Sequence, residues 1–142
     1  MQVRLALLAD HANVSVEGKL NIFGIFDRIG APELPFVHPL MHLVLRFEAH
    51  PAERDRAHKV EIKLHDPDGA TIFEIGGEIV PRGGPPGQPV ASNQILAINN
   101  LQLSKSGEHT VVVFVDHDLK AELPLHVERI TLPGRPPAPH QA

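Results

Sequence analysis

The chain has 142 residues, 42% hydrophobic and 21% charged, the proportions of one ordinary globular domain that can bury its own core without staples. Thirteen Lys and Arg against seventeen Asp and Glu leave a net charge of −4, which opposes a nucleic-acid partner, because phosphate binding needs a basic face. The lack of cysteine excludes disulfides, thiolate chemistry and cysteine-ligated zinc or iron–sulfur centres, and no stretch of about 18 apolar residues offers a membrane span.

Residues 3–9 read as a first strand. As a secretory leader the stretch fails: its apolar run covers only residues 5–9, with Arg4 as the sole basic residue. The expectation is therefore a cytoplasmic protein. A turn at Glu17-Gly18-Lys19, where Gly18 can supply positive φ, leads into a second strand over 20–29.

Residues 41–49 alternate. Met41, Leu43, Leu45, Phe47 and Ala49 point one way, and His42, Arg46 and Glu48 the other, with Val44 the exception. A short helical turn fits near 51–56. Residues 59–65 alternate more cleanly, with Val60, Ile62 and Leu64 inward. Asp66-Pro67-Asp68-Gly69 then forms a turn, because proline presets φ and glycine supplies the left-handed conformation. The return strand, 71–80, invites a bulge at Gly76-Gly77. Three more strands follow at 94–103, 108–116 and 120–127.

Many short apolar runs punctuated by 14 prolines and 11 glycines point to an all-β fold. The expectation is a two-layer antiparallel β-sandwich, immunoglobulin-like, of about eight strands. It forms a single domain over 1–130, followed by a proline-rich tail at 131–142.

The stretch "LLADHANVSVEGKLNIFGIFDRI" resembles the opening of a family of small uncharacterised bacterial proteins. "PRGGPPGQP", "NQILAINNL", "GEHTVVVFVD" and "LPLHV" are similar to later parts of the same family, so the resemblance spans 3–127. It implies a β-sandwich, a domain of unknown function and no functional residues to carry over.

Candidate chemistries are weak. Asp10 and His11 are adjacent, and adjacent strand residues point to opposite faces; the expectation is that Asp10 caps backbone N–H groups near 12–14, where the chain leaves its first strand. Ten histidines raise the question of a metal. His38 and His42 share a face if no bulge intervenes, but about 13 Å apart, too far for one ion. His117, between Asp116 and Asp118, could touch a metal only by chance. Asp66–Gly69 lacks the spaced acids of a calcium loop. No nucleophile–base pair or paired carboxylates are readable, so no catalytic residue, cofactor or metal is expected.

Two features remain. The loop 81–89 is rich in Pro and Gly. It is either a crossing from one sheet to the other or a preorganised docking loop, with Arg82, Gly83, Gly84, Pro85 and Pro86 as contacts and Arg82 as the anchor. The runs at 5–9, 21–26 and 111–115 are apolar on both faces, which calls for a second cover. A homo-oligomer, most simply a dimer, would supply it, with Val112 and Phe114 as contacts. The expected function is a non-enzymatic interaction or assembly module, with an unidentified protein partner as a further possibility. The alternative is a sandwich that binds a small molecule or a metal through surface histidines.

Overall fold

Among the described residues, side chains that alternate between apolar and polar form nine strands, one more than expected, stacked as two sheets. The computed structural model describes residues 1–131; the proline-rich tail lies outside the described residues except for Thr131. The strands are β1 (Gln2–Val14), β2 (Leu20–Phe26), β3 (Arg28–Ala31), β4 (Phe36–Ala49), β5 (His58–His65), β6 (Thr71–Ile79), β7 (Val90–Leu103), β8 (Gly107–Val115) and β9 (Asp118–Arg129).

One sheet has the order β2-β1-β4-β7 and the other β3-β9-β8-β5-β6. The orders β1-β4-β7 and β6-β5-β8-β9 correspond to A-B-E and C′-C-F-G of an immunoglobulin-type sandwich. Among the described residues no strand takes the D position beside β7. The chain passes from β6 to β7 through the loop 81–89, which therefore crosses between sheets.

Several local expectations are corrected. The single strand expected over 20–29 breaks at Asp27, where the chain changes sheets: β2 pairs with β1, whereas β3 runs parallel to β9. His126 N–H donates to the Asp27 carbonyl at 2.7 Å and fixes the crossing. The sandwich is thus antiparallel except for β3. Strand β1 does not stop at Ala9 but continues in register against β2 to Val14, before the turn at Gly18 (φ +82°). Gly76 and Gly77 pair in register with Glu61 and Val60, so no bulge forms there; the irregularity lies at Leu64/His65. The helical turn is a short 3-10 segment, Pro51–Glu53, capped by His50, whose Nδ1 accepts from Ala52 N–H at 3.0 Å.

Leu43, Leu45 and Phe47 of β4 meet Leu64 of β5, Val111, Val113 and Val115 of β8, and Leu125 of β9 in the buried core. Among the described residues no helix is long and apolar enough to cross a membrane.

Candidate interaction surface

The outer face of the four-stranded sheet is apolar at its centre. Cross-strand registers place Ile25, Ala9, His42 and Ala97 in one row and Leu7, Val44 and Ile95 in the next. Phe23 pairs with His11, and Leu40 with Asn99. Phe23 is 58% exposed, Ile25 66% and Leu40 40%. Val44 is fully buried although Leu43 and Leu45 beside it take the core side. Its neighbours in the row, Leu7 and Ile95, flank it on this face.

Polar groups border this centre. At one end Arg4 Nη2 donates to Glu48 Oε1 at 3.1 Å, and Arg46 Nη1 to Asn93 Oδ1 at 2.9 Å. In the β1–β2 hairpin Asn21 Nδ2 donates to Asn13 Oδ1 at 3.0 Å, and the hairpin tip returns to the same Asn93, whose Nδ2 donates to the Gly18 carbonyl at 3.4 Å. An apolar middle with a polar border is the anatomy of a protein–protein contact.

Asp10 and His11 do point to opposite faces. His11 stacks on Phe23 (ring centroids 6.2 Å apart) and meets the His42 ring edge-on at 5.1 Å. His42 Nδ1 lies 3.2 Å from the Asp10 carbonyl, to which it donates. The expected capping role of Asp10 is overturned, because β1 runs straight through it. The Asp10 carboxylate instead fills the space where Gly24 lacks a Cβ, and it makes no backbone hydrogen bond among the described residues.

His38 and His42 do not share a face. Alternation breaks around Pro39 and Asn100 (φ +52°), so Ile98 and Leu101 both reach the core. His38 packs toward Phe26 and Phe36, at 6.0 and 6.3 Å. Burial pushes its imidazole below the ordinary value, against the pull of Asp10, and its Nε2 is buried without a partner.

The tightest polar constellation is one that reasoning from the sequence missed. His58 is 5% exposed. Its Nδ1 lies 2.7 Å from Asp116 Oδ2 and its Nε2 3.0 Å from the Glu53 carbonyl. The hydrogen bond to Asp116 holds His58 above its ordinary value and Asp116 below its own. Glu53 is held low by its hydrogen bond with the amino terminus of Met1. Both ring nitrogens of His58 are engaged, so none is left to accept a substrate proton. The triplet suits anchoring of the Asp116-His117 turn, where φ is +50° and +68°. Its signal in the sequence is Asp116, an acid at the turn between two strands. His117 Nδ1 lies 3.4 Å from Glu61 Oε1. Among the described residues, no three His, Cys, Asp or Glu side chains gather within reach of one metal ion.

The expected partner contacts fall in two separate places. Arg82, Gly83, Gly84, Pro85 and Pro86 are exposed on the crossing loop. Within the chain the loop is held by Arg54, with Nη2 donating to the Pro85 carbonyl at 3.0 Å and to the Gln88 carbonyl at 3.1 Å. Gly83, Gly84 and Gly87 all take positive φ here. Val112 and Phe114 lie on the outer face of the five-stranded sheet. Val112 sits between Lys63 and Glu122 and is only 6% exposed, and Lys63 Nζ lies 5.7 Å from the Phe114 ring centroid. The side chain expected to be wet is covered within the chain, because long charged side chains lay their stems over their neighbours.

A family model matches residues 4–128. The chain belongs to the family of unknown function DUF6941. The match runs from early β1 to the end of β9 and so takes in both sheets, the crossing loop and the apolar outer face. No curated protein matches the chain.

Proposed function

We propose that this DUF6941 chain is a non-enzymatic assembly module that pairs with a second copy of itself through the outer face of its four-stranded sheet. The supporting observation is the exposed run Phe23, Ile25 and Leu40 around the buried Val44. Covering each exposed side chain is worth on the order of 1.5–3 kcal/mol. The border carries both signs, Arg4 and Arg46 with Glu48, so a twofold copy can set Arg against Glu.

Sedimentation equilibrium tests this. The expected mass is twice the 15.5 kDa of one chain, and Ile25→Lys should return a folded monomer. A wild-type monomer at the highest soluble concentration would overturn the reading. The second reading, a small ligand or metal held by histidines, draws its support from the His11–His42 contact. Zinc that shifts both imidazole resonances at stoichiometric concentration would favour it.

A further inference from the structure

Among the described residues strand β7 is an edge, paired only with β4, and none of its 14 residues is charged. Edges are ordinarily guarded by charge, shortness, proline or a bend. The other three are: β6 carries Glu74 and Glu78, β3 has 4 residues, and β2 bends at Gly24 (φ +69°). Strand β7 runs unguarded from Val90 to Asn99.

Beside this edge a cleft of about 180 Å³ opens between the sheets, with Leu45, Phe47, Ile62, Ile75, Gly77 and Glu78 among its lining residues. Ile75 pairs with the core residue Ile62 and so shares its inward face, yet it is 38% exposed. A Cβ at Gly77 would meet nothing within 4 Å. Glycine inside a strand often marks where another backbone comes close. Glu78 borders the cleft but lies opposite Lys59, so its carboxylate belongs to the outer face of the five-stranded sheet and the inward lining is apolar.

We propose that the free edge of β7 and this cleft bind an extended peptide segment of a partner protein. The segment adds as a strand in the empty D position, its backbone pairing with β7. Alternate apolar side chains lie against Ile62 and Ile75, beside the open space at Gly77. A second copy does not suit the place. Its β7 at this edge would bring its own β6 toward the cleft, where β6 of this chain already stands, whereas a single extended segment brings no second layer. The site goes beyond the dimer proposed above and does not depend on it.

The test is amide exchange and NMR titration of the full chain with a synthetic peptide of alternating Val and Thr, capped at each end by Lys. We expect slowed exchange at β7 and shifts at residues 75–79. Replacing the valines of the peptide by proline, which removes their N–H donors, should abolish both. Ile75→Lys should weaken binding by about tenfold or more, equivalent to about 1.4 kcal/mol. If that variant does not fold, Gly77→Val, which fills the open space on the inward face of β6, should weaken the peptide in the same way. Ile25→Lys, on the outer face, should leave peptide binding unchanged whether or not it alters the mass. No perturbation at millimolar peptide, equal binding of the proline peptide, or β7 protection that vanishes on dilution without peptide would each overturn the proposal.

Discussion

Asp10 and Gly24 fill one another's space: a Cβ built on Gly24 would lie 2.4 Å from Asp10 Oδ2. Gly24 also has φ +69°, a conformation that costs a side chain about 1–3 kcal/mol. Gly24→Ala should therefore lower stability in denaturant titrations by about that much, with the clash added. Removing the carboxylate first should relieve the clash but not the backbone strain. The double variant with Asp10→Ala should show a coupling of about 0.5 kcal/mol or more. Additive effects would mean that the two side-chain positions do not meet.

The His58–Asp116 pair makes stability depend on pH in a defined direction. His58 is held above its ordinary 6.5, chiefly by its hydrogen bond to Asp116. Its contribution is full below 6.5 and is lost as pH rises through the higher folded value. Asp116 is held below its ordinary 3.8 by the same bond. Its contribution is present above 3.8 and is lost as pH falls through the lower folded value. The pair thus helps most between these limits. Asp116→Asn, which tolerates the positive φ, should lower Tm most near about pH 5.5 and less near about pH 9. A Tm difference that is constant with pH would refute the linkage.

Locally determined structure was the legible part. Val60, Ile62 and Leu64 announce their inward face by strict alternation, and the Asp66–Gly69 turn follows from its own residues, with Gly69 N–H donating to the Asp66 carbonyl at 2.9 Å. What failed depends on contacts distant in sequence. The change of sheets at Asp27 is marked only by the polar pair Asp27-Arg28 between two apolar runs, which a single continuous strand would equally allow. Strand β8 and strands β1 and β2 looked alike, apolar on both faces. Only the sheet order decides that Val112 lies under Lys63 and Glu122, whereas Phe23 and Ile25 sit on an edge strand and are exposed among the described residues. The crossing loop was legible as unusual, but its anchor was not, since Arg54 reaches it from 31 residues away.

That anchor sets up a contrast between two arginines. Arg54→Ala removes two charge-assisted bonds to the Pro85 and Gln88 carbonyls and should cost about 1–3 kcal/mol. Arg82 is exposed and has no hydrogen bond or ion pair among the described residues, so Arg82→Ala should stay within about 0.5 kcal/mol. Amide exchange at Gly87 and Gln88 should quicken in the first variant only. If both variants loosen the loop equally, Arg54 is not its anchor.

Lysine scanning separates the two outer faces. Val112 is 6% exposed and Ile25 66%, so the same substitution should act through different quantities. Val112→Lys gives up the burial of a valine, about 1.5 kcal/mol, and sets a second ammonium beside Lys63. It should lower Tm and leave the mass unchanged. Phe114→Lys loses the ring beneath Lys63 Nζ and should behave the same way. Ile25→Lys gives up little burial within the chain, so Tm extrapolated to infinite dilution should hold. Its mass should fall from twice 15.5 kDa to 15.5 kDa. Should Val112→Lys halve the mass while Ile25→Lys does not, the contact belongs to the five-stranded sheet and the proposed face is wrong.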